Sequence, residues 1–341
     1  MAHPRLLWLA GAALFSAASL LSLTSRAVSA GEPGRPGEAA KPGSAAEPGK
    51  GAAAAQPAEA AAAPAPTVKV TDLGQGERRE LRLRIAKGWK EAGVMVSRVE
   101  MATEASGASL PPQKMPAPEV TIRVEVTDVS ADGDFTYTFQ FSEVKLTEEE
   151  GVSPLALEAM KSQLQSVKGL TGTATVTSRG VVKKVDMKVP DSAAPRVRQT
   201  IEGTLQSFKS FSVPLPEEPV GVGARWDIEQ VVESGGLKVN QSTGFELVSF
   251  RDDQVRLKVR VKNSGSARDL KARGGPAGSR VSLLSMDLAG AGETILHLQR
   301  VLPEKTDLQV AGEYRTRMEI QGQSRELTTR TKVSTTVGRP R

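Results

Sequence analysis

Arg256, Lys258, Arg260 and Lys262 alternate with Val255, Leu257, Val259 and Val261, so four cations project from one side of a strand. Such a row can hold an anionic lipid head, a lipopolysaccharide or an acidic polymer. It is equally an ordinary solvated face that discourages edge pairing. A second row, Phe135, Tyr137, Phe139 and Phe141, has the same period and gathers four of the chain's thirteen aromatic residues. On the concave side of a curved sheet these rings would line an apolar pocket. In a flat sandwich they are core. Tyr314, Met318 and Ile320, with Leu164, Leu205 and Phe208 from helical segments, are candidates for the same apolar face.

Residues suited to bond-making are scarce. His297 is the one histidine after the first thirty residues, and it sits in the strand-like run Thr294, Ile295, Leu296, His297, Leu298. A catalytic imidazole needs a nucleophile or carboxylate beside it, and the sequence supplies none. One histidine without any cysteine is also a poor zinc site. Asp128, Asp132 and Asp134 surround one turn, but a calcium loop needs oxygens at fixed alternate positions and a distal Glu. Glu148, Glu149 and Glu150 read as a solvated turn. Ser142-Glu143-Val144-Lys145 has the S-x-x-K spacing of penicillin-recognising enzymes, which works on a helix, whereas these residues end a strand. There is no G-x-S-x-G, phosphate-cradling loop or H-E-x-x-H. The chain therefore reads as non-enzymatic, with no cofactor and no metal.

The elements that position these rows are strands. Val120, Ile122, Val124 and Val126 face one way, and Thr121, Arg123, Glu125 and Thr127 the other. Period-two hydrophobicity runs from about Leu81 to Val337. Asp132-Gly133, Arg179-Gly180, Gly235-Gly236, Asp252-Asp253, Gly290-Ala291-Gly292 and Gly322-Gln323 are expected as hairpin turns, which make a meander. Residues 106–118, rich in proline, and 264–278 are expected as loops. Two helices interrupt the pattern. One follows the cap Ser153-Pro154 and carries Leu157, Met160, Leu164 and Val167 on one face up to Gly169. The other follows Asp191-Ser192, with Val197, Ile201, Leu205 and Phe208 on one face. The hairpin 170–189 lies between them. A weak echo of Lys87-Gly88-Trp89 in Gly223-Ala224-Arg225-Trp226 suggests a duplication, although the offsets differ.

The N-terminus bears on compartment. Arg5 precedes an apolar run over residues 6–23, and Val28-Ser29-Ala30 offers small residues before a cut, as in a secretory signal peptide. An uncleaved anchor is the rival reading, since the run approaches the length of a membrane span. Residues 31–67, rich in Ala, Pro and Gly, cannot bury enough apolar surface to order themselves and read as a spacer. Absence of cysteine excludes a lipoprotein anchor and disulfides. The formal charge of +6 permits an anionic partner without requiring one. Nucleic acid is not expected, because aromatic residues do not interleave with the basic ones.

These features resemble a loose group of uncharacterised exported bacterial β-rich envelope proteins. The shared elements are the export signal, the low-complexity spacer, the Lys87-Gly88-Trp89 step and the glycine-rich strand start Val220-Gly221-Val222-Gly223. The resemblance covers most of residues 77–337 and implies no activity and no site residues. At the level of architecture the chain is similar to the lipoprotein-carrier class, in which a curved, incompletely closed sheet holds an acyl chain against helices; architecture alone does not fix function.

The expectation is an α+β fold, mainly antiparallel. One large curved sheet or partly open barrel carries two packed helices, and two small β-domains from a duplication are the alternative. Residues 1–30 are read as signal peptide and 31–67 as spacer. Residues 68–341 are read as the β-rich domain, with a helix–hairpin–helix insert at 152–210. The expected function is binding of an apolar or amphiphilic ligand, or of an envelope partner, in the periplasm or outside the cell. Phe135, Tyr137, Phe139 and Phe141 would take the apolar part, and Arg256, Lys258, Arg260 and Lys262 an anionic head. Membrane contact is expected only through an uncleaved signal segment. The alternative is a structural or assembly module of the cell envelope without a small ligand.

Overall fold

Alternation of apolar and polar residues produces strands throughout the computed structural model, which describes residues 67–105, 108–147, 151–165, 167–188, 214–234, 237–270, 280–320 and 323–340. The strands are β1 (Thr67–Asp72), β2 (Gln75–Arg79), β3 (Lys90–Ala105), β4 (Ala108–Ser109), β5 (Gln113–Lys114), β6 (Ala117–Val129), β7 (Phe135–Thr147), β8 (Thr171–Val176), β9 (Val182–Met187), β10 (Val220–Val222), β11 (Arg225–Ser234), β12 (Leu237–Arg251), β13 (Gln254–Leu270), β14 (Arg280–His297), β15 (Lys305–Ile320) and β16 (Gln323–Gly338). One helix, α1 (Pro154–Gln165), falls between β7 and β8. It starts at the expected cap, where Leu157 N donates to Ser153 O, and Gly169 follows its end at φ +85°. Among the described residues no helix is long and apolar enough to cross a membrane.

The strands form one 14-stranded antiparallel sheet in the order β1-β11-β12-β13-β14-β15-β16-β3-β6-β7-β8-β9, with β4 and β5 paired to β3. A short separate pair joins β10 to β2. The fold is thus mainly antiparallel β with one large open sheet, as the hydrophobic period implies. Two packed helices are not supported: α1 is the one described helix, and the segment after Asp191-Ser192 lies outside the described residues. The two-domain alternative is overturned as well. β16 pairs with β3, and β1 pairs with β11, so strands from both halves interleave in one sheet. The hairpin of the expected insert, β8 and β9, extends the same sheet from β7, while residues 189–210 of that insert lie outside the described residues.

One face of the sheet is buried in a single core that runs from Val120 and Phe135 in the N-terminal half to Trp226, Leu257 and Tyr314 in the C-terminal half. The core takes in Val68 and Val70 of β1 and Val185 of β9, the two ends of the strand order, so the sheet curves around it. Bulges assist the bending between Thr121 and Ile122, between Leu247 and Ser249, and between Leu283 and Ser285. Glycine supplies the rest. Gly290 and Gly292 do not form the expected turn; they lie inside β14 opposite Val310 and Leu308 of β15. A Cβ on Gly292 would run into the carbonyl oxygen of Asp307, so only glycine lets the two backbones approach. The expected loop 264–278 is likewise strand up to Leu270, while 271–279 lies outside the described residues. Residues 106–118 hold the short strands β4 and β5 and the start of β6. Of the other expected turns, Asp132-Gly133, Arg179-Gly180 and Asp252-Asp253 are turns, with Gly133, Gly180 and Asp252 at positive φ.

Residues 81–86 alternate like a strand but serve as a plug. Leu81, Leu83 and Ile85 are buried in the core. Their backbone is held by turns rather than by a ladder: Leu83 N donates to Ser178 O and Arg84 N to Leu298 O, each at 2.7 Å. Leu215 N donates to Arg179 O, and Arg82 donates to the carbonyls of Pro216 and Glu217. Glu91 accepts from Val301 N and Leu302 N at 2.7 and 2.8 Å. This end of the coiled sheet is therefore closed by paired backbone groups, which a buried end requires.

Candidate functional site

The two rows singled out from the sequence lie on opposite faces of the sheet. Phe135, Tyr137, Phe139 and Phe141 point inward from β7 and are 1 to 5% exposed. Successive rings contact one another, with centroids 6.0 to 6.4 Å apart. Arg256, Lys258, Arg260 and Lys262 point outward from β13 and are exposed. Acids meet part of this row. Arg256 Nη2 lies 2.5 Å from Glu293 Oε2, and Lys258 Nζ lies 3.9 Å from Glu246 Oε1. Gly244 sits between Asp227 and Arg260 in the cross-strand register, and a Cβ there would meet the side chains of both. The structure does not bring the aromatic and basic rows together. His297 is half-buried at the end of β14, where its Nδ1 accepts from Gln299 N at 3.3 Å. Asp128 pairs with Lys87 at 3.0 Å, which holds its carboxyl below the ordinary range. Asp134 pairs with Lys183. Glu148 to Glu150 and the side chains of Leu205 and Phe208 lie outside the described residues.

A groove opens instead on the outer face, across β3, β6, β7 and β8. Its volume is about 620 Å³, within the size range of small-ligand sites. Two cross-strand rows build it. The first runs Lys90, Glu125, Thr138, Thr173 and Asp186. The second runs Ala92, Arg123, Gln140 and Thr171. Lys188 continues it, because its N–H donates to Thr171 O at 2.9 Å. The groove floor is held by the core beneath: Val124 and Phe139 point inward between the outward residues of their strands. Gly172 is required under it, since a Cβ there would strike the Phe139 ring and the Asp186 carbonyl.

The rows differ in charge. In the first, Lys90 Nζ lies 3.0 Å from Glu125 Oε1, and Asp186 Oδ2 lies 2.8 Å from Lys184 Nζ, which raises the Lys184 ammonium above its usual range. The second row contains no acid. Among the described residues neither Arg123 nor Lys188 forms an ion pair. Within the described residues the groove thus presents two cations without an acid partner, separated by an amide and a hydroxyl. Alternation alone places Arg123, Glu125 and Thr127 on the outer face. It does not reveal their neighbours, because those depend on the β3–β6 register and on the bulge at Thr121.

No protein-family model matches the chain, and no curated protein matches it.

Proposed function

We propose that this chain is a non-enzymatic exported binding protein that takes an extended amphiphilic ligand in the outer groove of β3, β6, β7 and β8. The carrying observation is the groove itself, a concavity with two unmatched cations on a face where neighbouring lysines have acid partners. Aliphatic stems of Arg123 and Lys188 and the methyls of Thr171 and Thr173 supply apolar contact beside the charges. The absence of chemistry in the reading rests on the buried polar set: Ser97, Gln241, Thr243, Asn263, Thr294, Thr306, Thr316, Thr329, Thr331 and Thr335 are all uncharged. Several satisfy one another, as in the amide chain from Gln230 to Gln241 to Asn263 at 2.7 and 2.9 Å. A convergent pair of buried carboxylates, the usual core of acid–base chemistry, is missing among the described residues. Export rests on the signal-like residues 1–30. Outward charges on β13 are the reverse of a lipid-facing strand, which supports limiting membrane contact to that N-terminal segment.

Native mass spectrometry of the full chain, incubated with lipid and glycan extracts of bacterial envelopes, tests the proposal. Retained ligand is expected with the natural sequence and lost in Thr138→Trp/Thr171→Trp, which fills the groove. Retention that survives the filling, or no retained mass with any extract, overturns it.

A further inference from the structure

The second row of the groove carries information about the class of ligand. Arg123, Gln140 and Thr171 occupy successive strands at the same level, and Lys188, just past β9, continues the row. From Arg123 to Lys188 the row crosses three interstrand steps, about 14 Å at the usual spacing. With both side chains extended away from the sheet the cations stand apart, an arrangement that suits a linear molecule lying across the strands better than a single small anion. Between the cations stand neutral donors and acceptors, the Gln140 amide and the Thr171 hydroxyl, which suit hydroxyl groups. The guanidinium of Arg123 is planar and forked, matched to a carboxylate held bidentately.

Resting on the groove reading, we infer that the ligand is a linear acidic glycan, with a carboxylate on Arg123, a second on Lys188 and sugar hydroxyls on Gln140 and Thr171. The first row adds little net attraction, because Lys90 is paired with Glu125 and Lys184 with Asp186, so a polyanion is drawn to the acid-free row. On β13, Arg256 and Lys258 already face acids, and Arg260 and Lys262 are not among the residues that line the groove.

Titration calorimetry of the full chain is run with an oligogalacturonate, a neutral malto-oligosaccharide of equal length, and polyphosphate. The oligogalacturonate is expected to bind, more weakly as salt rises. Arg123→Gln is expected to weaken it about tenfold or more, the scale of a lost charge-assisted pair. Arg123→Lys recovers only part, Lys188→Gln costs less, and Arg256→Gln, elsewhere on the outer face, leaves affinity unchanged. All these side chains are exposed, and unaltered melting temperatures confirm folding. Equal loss in Arg256→Gln, or polyphosphate binding as tightly with the same dependence on Arg123, overturns the acidic-glycan assignment. Neutral oligosaccharide binding that is abolished by Thr138→Trp/Thr171→Trp but indifferent to Arg123→Gln sinks this inference and leaves the groove reading standing. Binding of none of the three ligands sinks it as well, and the fate of the groove itself is then read from the extract experiment.

Discussion

At the scale of single residues, burial decides what a polar group can do. Tyr314 is 1% exposed on the inner face of β15, and burial pushes its phenol up to about 12, against a smaller opposite pull from the Thr329 hydroxyl. An unfolded tyrosine ionises near 10. The folded value is the higher one, so the contribution to stability is complete below pH 10 and is lost as pH rises through the folded value near 12. Two units correspond to roughly 2–3 kcal/mol. Urea unfolding between neutral pH and pH 12 is expected to show this alkaline loss in the natural sequence and to show much less of it in Tyr314→Phe. Parallel curves for the two would refute the assignment. The same burial explains which site residues could be read in advance. The period-two rule puts Phe135 to Phe141 on one face, yet it cannot say that coiling of the sheet seals that face. Arg123 stands on the outer side in the same reading, and its isolation from carboxylates depends on strand neighbours up to 40 or more residues away, such as Thr171.

At the scale of elements, the strands were legible and their pairing was not. Hairpins such as β6–β7 follow from Asp132-Gly133 because a tight turn makes sequence neighbours spatial neighbours. The β16–β3 pairing has no such local sign, since it joins residues over two hundred positions apart. Residues 81–86 show why alternation is insufficient: Leu81, Leu83 and Ile85 have the strand pattern, but their backbone bonds to turns. Gly290 and Gly292 show the converse. A turn and a close strand approach both demand a residue without Cβ, so the sequence is the same for either. The structure makes a clear distinction between neighbours here. Gly292→Val is expected to destabilise by about 3 kcal/mol or more, or to prevent folding, because its side chain must displace the β15 backbone at Asp307. Ala291→Val, one residue away on the exposed face, is expected to change stability by less than about 0.5 kcal/mol. Denaturant midpoints of the two variants check the pair, and equal effects would show that β14 does not bend at this point.

At the scale of the whole molecule, the closing pairings impose cooperativity. Among the described residues β3, β6, β7, β8 and β9 are continuous with β11 to β16 through β16–β3, while the plug at residues 81–86 reaches both the Ser178 turn and the Leu298 turn. Neither half can leave without stripping cover from the other, because the core is one cluster spanning both. Trp89 lies just before β3 and Trp226 on β11, so the two rings are attached to different halves of the sheet. Trp89 precedes β3 with the Arg300 guanidinium 5.7 Å from its ring, and Trp226 is stacked on Phe245 at 5.5 Å in β11 and β12. Trp89→Phe and Trp226→Phe each leave one of these reporters, with Trp8 as a constant background. Their own costs shift the midpoints between variants, so the comparison is made within each one. Tryptophan fluorescence and far-ultraviolet circular dichroism are expected to give the same midpoint in each variant, with a calorimetric enthalpy equal to the van't Hoff value. Phe245→Ala, introduced into the Trp226→Phe background, removes a core side chain carried by β12 of the C-terminal half. Its expected cost of about 3–5 kcal/mol should nevertheless move the Trp89 transition by the full amount. If the Trp89 signal stays in place while the dichroism shifts, the two halves unfold independently. The groove would then belong to an autonomous N-terminal sheet rather than to one continuous fold.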